Sequence, residues 1–421
     1  MDVKGQKFRH KDLIPSYHEL IDDIKSLLIN NSVLGALYIN CSSLNKIEKL
    51  FGKKIYSDVL EHVKGVIIDM KGREMRHADI IASIAPESDE FLIFLSGKRE
   101  DRVFYPTDVG SLCARVLESL NNVLFLIIFP YLKGIPRIGV GYAVVLHNPL
   151  IQNERLINKL IEDAKLMSKY LEFRRLIRNK EKIQELIMKE DIRTLFQPII
   201  RFTDNEIIGY EALSRGPEGT EYENPYRLFD AAADAGLLFE LDRLCKKKAL
   251  LNAKSIGPAH KLFINCLPSI VHDPEFRDAY LDSFLSELKI TPANIVLEIT
   301  EREAIENYNL FKEAVLYYSG LGFAIAIDDT GTGYSGLETV VELRPNFIKL
   351  DISIVRDIDK NPPKQELIKA IKAFSNELNS TVIAEGIETE EELHTLKEIG
   401  INIGQGFLFA RPGPAFPDIK R

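Results

Sequence analysis

Two adjacent carboxylates, Asp328 and Asp329, end the apolar run AIAI and open the glycine-rich stretch DDTGTGYSGL. Aspartates side by side at the mouth of a buried strand repel one another and resist desolvation, so a positive partner is expected beside them. They have company: Gln197, Glu211, Asn265, Glu298, Lys349, Glu385 and Gln405 each follow or interrupt an apolar run. Carboxylates and amides, with no histidine among them and no cysteine pair, are hard oxygen donors suited to Mg²⁺ or Mn²⁺ rather than zinc or copper. The paired aspartates could serve two such ions, one of them bridging. Two metals suit in-line displacement at phosphorus, which makes a phosphoester the expected substrate class. Lys349 is the only cation of the set. It could orient or deprotonate an attacking water, or neutralise charge on phosphoryl oxygens; the plainer alternative is a rim lysine paired with Glu385 or Asp351. Arg215, four residues after Glu211, could hold a phosphate, or could be a surface arginine.

These residues need elements to carry them. From about Lys180 onward, β-rich runs (TLFQPII, IIGYEALSRG, KLFINCLP, NIVLEIT, FAIAIDD, FIKLDI, TVIAEGI and IGQGFLF) alternate with helical patterns. The latter include Phe239–Ser255, Phe276–Leu288, Tyr308–Ser319, Gln365–Leu378 and Glu390–Ile399. That rhythm predicts a (β/α)8 barrel, whose functional residues collect at the C-terminal ends of the strands. One acid at a strand end is commonly a cap or an ion-pair member, but acids and amides converging from seven strands make a site. Residues 1–150, with GALYINC, EFLIFLS, NVLFLIIF and RIGVGYAVVL as strands, read as a compact α+β domain. The run Val123–Leu132 is too short to span a bilayer and contains a proline, so it is expected to be a buried strand. Between the domains, Ile157, Leu160, Ile161, Ala164, Met167 and Leu171 form a stripe at helical spacing. It fits a helix packed on the first domain followed by a connector, or one that pairs across a dimer. Sixty-two acidic against 54 basic residues, a net charge of −8, offer no general attraction to nucleic acid or anionic lipid. Four scattered cysteines without a secretory segment suit free thiols in the cytoplasm, and no membrane span is expected.

At these residues the sequence resembles the EAL domain phosphodiesterases that hydrolyse cyclic di-GMP. YEALSR (Tyr210–Arg215) carries the naming motif. FQPI, FINC (Phe263–Cys266), LEITE (Leu297–Glu301), AIDDTGTGYS (Ala326–Ser335), IKLD (Ile348–Asp351), AEGIET (Ala384–Thr389) and GQGFLF (Gly404–Phe409) stand in the family's order. The resemblance covers about residues 180–413 and implies a TIM-like barrel, two Mg²⁺ or Mn²⁺ ions and cleavage of one phosphodiester to linear pGpG. It further implies Glu211, Asn265, Glu298, Asp328, Asp329 and Glu385 as metal ligands, and Lys349 as the lysine that positions and activates water. Gln197, Leu213, Arg215 and Gln405 are implied as substrate or water contacts, Glu301 as the brace of the loop after Asp329, and Glu388 as an acid behind the ligands. That loop departs from the family's D-D-F-G-T-G-Y-S-S: Thr330 replaces the aromatic and Gly336 the second serine. Altered regulation or rate is expected from this, with the chemistry kept.

The front of the chain resembles a degenerate GGDEF (diguanylate cyclase) domain over about residues 28–170, giving 1–170 as a regulatory domain, 171–190 as a helical linker and 191–421 as the phosphodiesterase. The signature reads ESDEF (Glu87–Phe91), keeping Asp89, Glu90 and Phe91 but losing both glycines that let the backbone turn closely around a nucleotide. Asn40 replaces the expected metal-binding aspartate, and Glu48 stands where an asparagine would read guanine. Cyclase activity is therefore not expected. Arg76 and Asp79, in RHAD, match an R-x-x-D inhibition site but lie two residues too far from the signature, so a chance surface match is favoured. A homodimer is expected, with a nucleotide or protein ligand at the front domain. The rival function is a receptor that binds cyclic di-GMP without turnover, although such receptors usually lack several of the metal ligands or the lysine.

Overall fold

Short apolar strands bounded by turn residues build both halves of the chain. The computed structural model describes residues 14–95, 106–128, 138–300, 308–330, 341–342, 344–414 and 416–418. The chain divides into two units, Met1–Asn179 and Lys180–Arg421.

In the first unit, β1 (Val33–Asn40), β2 (Ile80–Ser83), β3 (Glu90–Leu95) and β4 (Gly139–Leu146) form an antiparallel sheet in the order β2-β3-β1-β4. β1 is buried on both faces. Leu37 and Ile39 pack with residues of α2 (Asn45–Phe51), α3 (Lys53–Asp69) and α4 (Pro106–Ile128). Leu34, Ala36 and Tyr38 pack with α1 (Ile21–Asn31) and the first turns of α5 (Asn153–Met188), through Leu156, Ile157, Leu160, Ile161 and Ala164. The α+β expectation holds, with one correction: the expected strand at Val123–Leu132 is helical as far as it is described, since α4 runs through Ile128. Upstream, α4 buries Val109, Cys113, Val116 and Leu120 at helical spacing, and an apolar run carries no period of its own to separate a strand from a continuing helix. β2 was not anticipated. Asp79, expected in a surface match, is instead buried, its carboxylate accepting from the Arg76 backbone N–H at 2.8 Å.

In the second unit the eight anticipated runs all become strands of one closed barrel: β5 (Arg193–Arg201), β6 (Glu206–Arg215), β7 (Lys261–Asn265), β8 (Ile295–Thr300), β9 (Ala324–Thr330), β10 (Phe347–Leu350), β11 (Thr381–Ala384) and β12 (Ile403–Gly404). Seven follow the parallel pattern. β5 runs antiparallel to both its neighbours, β6 and β12. The cause is local: only residues 202–205 join β5 to β6, with Asn205 at φ +57 and the Asp204 carboxylate accepting from Glu206 N at 3.1 Å. A connection that short permits a hairpin, whereas a parallel return needs a crossover of a dozen residues or more.

Helices α6 (Pro225–Ala235), α7 (Leu238–Asn252), α8 (Asp278–Leu288), α9 (Tyr308–Gly320), α10 (Ile352–Val355), α11 (Pro362–Leu378) and α12 (Glu390–Ile399) accompany the barrel. Their ends carry their own signals: Asn224 and Pro225 open α6 and Gly236 closes it, while Thr389 and Glu392 form a reciprocal capping box at α12. Between helices and strands lies a core that includes Phe196, Leu262, Leu297, Ile325, Ile348 and Leu396. Inside the barrel, Ile199, Phe263, Val296, Ala326 and Ile383 form a smaller apolar plug. No described helix is long and apolar enough to cross a membrane.

Candidate active site

Strand alternation converts that plug into a site. Side chains repeat on one face every two residues, so the position two beyond each plug residue, toward the open end, also faces inward. Phe263 leads to Asn265, Val296 to Glu298, Ala326 to Asp328 and Ile383 to Glu385. Phe347 and Ile403, packed against the plug, lead to Lys349 and Gln405. On antiparallel β5 the step runs backward, from Ile199 to Gln197, which pairs in register with Glu211. An apolar floor thus carries a polar layer drawn from every strand.

Lys349 stands at the centre of that layer, with no solvent exposure. Its ammonium lies 2.6 Å from Glu298 Oε1, 2.7 Å from Glu385 Oε1, 3.5 Å from Asp328 Oδ2 and 3.6 Å from Glu211 Oε1. Burial alone would drive the proton off. The four carboxylates of Asp328, Glu211, Glu298 and Glu385 overcome that and hold the lysine well above its ordinary pKa. Burial pushes Glu298 and Glu385 well above the usual carboxylate range, with Lys349 opposing the shift and neighbouring acids adding to it. Gln405 Nε2 donates to Glu211 and, at 2.9 Å, to Glu385 Oε1; Asn265 Nδ2 donates to Glu211 Oε1 at 3.2 Å.

β9 bulges where it carries the two aspartates. Ile348 pairs with Ile327 and Leu350 with Thr330, so three steps on β9 oppose two on β10. The extra residue interrupts the strict in-out alternation at this point. Asp329 takes φ +59, and its N–H donates to Asp328 Oδ1 at 2.8 Å.

The structure therefore gathers Glu211, Asn265, Glu298, Asp328, Lys349, Glu385 and Gln405 into one cluster. Gln197 lies beside it, buried, and donates through Nε2 to Ala410 O at 3.1 Å. Leu213 and Arg215 are half-buried farther along β6; the Arg215 guanidinium donates to Ser214 O at 2.8 Å, and burial lowers its pKa. Glu388 is not in the cluster: its carboxylate pairs bidentately with Arg356, which holds it below the usual carboxylate range. Glu301 and Gly336 lie outside the described residues. Thr330 is buried, and its carbonyl faces Asp351 N at 3.5 Å. One residue was missed: Glu392, nearly fully buried, whose carboxylate accepts from Asp357 N, Glu388 N and Thr389 N. Its T-x-x-E capping signature was legible, though not its reach to Asp357.

The donor chemistry fits hard divalent cations. Both Glu298 oxygens are buried without a directed hydrogen bond, despite the nearby ammonium. Glu211, Asn265, Glu298, Asp328, Asp329 and Glu385 would supply only oxygen ligands. Among the described residues, no three acids, histidines or cysteines surround a common point ready for a metal ion; the carboxylates meet on the Lys349 ammonium instead.

Residues 180–412 match the EAL domain family model. The chain is 28% identical over 418 residues to the cyclic di-GMP phosphodiesterase PdeR of Escherichia coli (strain K12), covering 94% of this chain and 60% of that protein. It is 29% identical over 396 residues to the cyclic di-GMP phosphodiesterase PdeA of Borreliella burgdorferi, covering 92% of this chain and 54% of that one. The chain thus spans between half and two thirds of the length of these relatives. Among solved structures, the FimX EAL domain from Pseudomonas aeruginosa bound to c-di-GMP aligns with a TM-score of 0.50 at 26% identity, over 57% of this chain and 97% of that one.

Proposed function

The chain belongs to the EAL domain family, and from that premise we propose that it hydrolyses one phosphodiester bond of cyclic di-GMP to give linear pGpG. The observation that carries the proposal is the cluster of Glu211, Asn265, Glu298, Asp328, Lys349, Glu385 and Gln405, with the buried ammonium within 2.7 Å of two carboxylates. The names of PdeR and PdeA support the substrate.

Glu211, Asn265, Glu298, Asp328, Asp329 and Glu385 would hold two Mg²⁺ or Mn²⁺ ions. Such ions supply charge for the phosphoryl oxygens and acidify a water. This chain's own residues then do the rest. Held protonated by its carboxylates, Lys349 acts as a donor and a positive charge that orients the water and offsets charge on phosphorus-bound oxygen. Gln405 and Asn265 fix the Glu211 carboxylate by hydrogen bonds. Gln197, Leu213 and Arg215 border the substrate. Water oxygen bonds to phosphorus, the bond to the ribose 3′ oxygen breaks, and that oxygen ends with the proton the water loses.

The first unit regulates, on this proposal, as a cyclase-like domain without cyclase activity in a cytoplasmic homodimer. Supporting it, Glu87 takes φ +57, a conformation glycine favours, at a signature position where the resembled family has glycine. A receptor without turnover is the second reading, favoured by the meeting of the carboxylates on an ammonium rather than around a metal-ready point. Incubating the purified chain with cyclic di-GMP and Mn²⁺, with chromatography for pGpG, decides between them. Product that is absent without metal and absent from Glu211→Ala supports hydrolysis; binding without product supports the receptor.

A further inference from the structure

We infer that Glu392 is a positioning residue which, with the Arg356–Glu388 pair, clamps the segments following β10 and β11 and so fixes Lys349 against Glu385. The inference rests on the hydrolytic reading for its kinetic consequence, though not for its structural one. The ladder between β10 and β11 ends where Glu385 N donates to Leu350 O at 3.2 Å. Beyond that rung β10 runs into α10 and β11 into a loop, and no further strand pairing joins the two segments. Glu392 replaces the missing rungs. One of its oxygens accepts from Asp357 N at 3.0 Å, in the segment after β10; the other accepts from Glu388 N at 2.9 Å and Thr389 N at 3.2 Å, in the segment after β11. Glu392 as a residue is only 2% exposed, so water does not substitute cheaply for these partners.

Independent features mark the same junction. Asp357 is held at φ +55, a conformation that residues with a Cβ rarely adopt, and its N–H is the one pointed at Glu392. Gly386, at φ +69, lies so close to Ile352 that a Cβ there would run into that side chain. Arg356 closes the bridge from the other direction through its bidentate pair with Glu388. Both clamped segments begin within a few residues of a cluster member, Lys349 in one and Glu385 in the other, and these two are 2.7 Å apart. A small loss of register between the segments separates that pair, and small misplacements of reacting groups cost rate steeply.

The test uses the full chain carrying Glu392→Ala, with circular dichroism as the folding check. Amide hydrogen exchange at Asp357 and Glu388 should accelerate by about tenfold or more, and Mn²⁺ binding measured by calorimetry without nucleotide should weaken by about tenfold. In turnover, kcat should fall by at least about tenfold while KM for cyclic di-GMP moves less than about twofold. A folded variant with exchange, Mn²⁺ binding and kcat all within about twofold of the parent overturns the inference. If Glu392→Ala does not fold, Glu392→Gln takes its place: it keeps one acceptor for the helix cap, so exchange should rise at Asp357 alone, and unchanged exchange there rejects the clamp. If the parent makes no pGpG, the hydrolytic reading fails while exchange and Mn²⁺ binding still decide the clamp.

Discussion

Each unit sets acids at the end of a strand, and the two surroundings differ. In the first unit Asp89 precedes β3 and Glu90 opens it, both half-buried: Tyr56 Oη donates to Asp89 Oδ2 at 3.4 Å, and Lys165 stands 3.9 Å from Glu90. Solvent relieves their repulsion, so nothing nearby has to neutralise it. In the barrel, buried Glu211, Glu298 and Asp328 converge with half-buried Glu385, and a fully buried lysine meets all four. Buried charges at a strand end persist only when compensated, which makes such clusters expensive to keep without a use. The contrast separates a buried, charge-compensated cluster from a half-exposed strand end with the same residue types.

Breaking one acid in each unit gives the largest expected difference. Glu211→Ala should abolish pGpG formation, whereas Asp89→Ala should leave basal hydrolysis within about twofold; loss of hydrolysis in Asp89→Ala, assayed side by side, would erase the distinction between the units. Next comes the response to pH. Glu298 and Glu385 bind protons in the folded chain at pH values where the unfolded chain has released them. The folded state therefore loses stability as pH rises from the ordinary carboxylate range toward neutrality. Lys349 adds nothing in that window, because its contribution fades only above the ordinary lysine value. Melting temperatures of the metal-free chain should fall as pH rises above the ordinary carboxylate range, and saturating Mg²⁺ should flatten the decline. A metal-free profile that rises with pH would contradict the protonated cluster.

Packing supplies a third, smaller contrast. A Cβ at Gly141 would strike the Ala164 carbonyl of α5, so Gly141→Ala should destabilise the first unit by about 1–3 kcal/mol and leave turnover per folded molecule unchanged; denaturant unfolding combined with a rate assay checks both halves. The smallest effect belongs to Thr389, whose hydroxyl accepts from Glu392 N at 3.2 Å. Thr389→Ala should cost the second unit about 1 kcal/mol, read as a shift in the denaturation midpoint.

How much of this was legible depended on the physics involved. The polar layer could be read directly, because in-out alternation places Asn265, Glu298, Asp328, Lys349 and Glu385 at one phase of apolar strands. The reversed first strand was also encoded, in a connection of four residues too short for a crossover, but the β-α rhythm of the remaining chain masked it. Val123–Ile128 misled because an unbroken apolar run has no period. The bulge at Asp328–Asp329 and the reach of Glu392 to Asp357 are tertiary facts; a doubled aspartate and a capping box hint at them without specifying the partner.

The most direct test of the central claim, that the buried ammonium and its carboxylates carry hydrolysis, is turnover of Lys349→Ala at saturating Mn²⁺ with cyclic di-GMP binding measured on the same sample. Without Mn²⁺ the variant should lose about 3–5 kcal/mol of stability, so the metal also serves to keep it folded. With Mn²⁺ the variant should fold, bind the nucleotide and make no measurable pGpG. Turnover near that of the parent would contradict the account and remove Lys349 from the reaction.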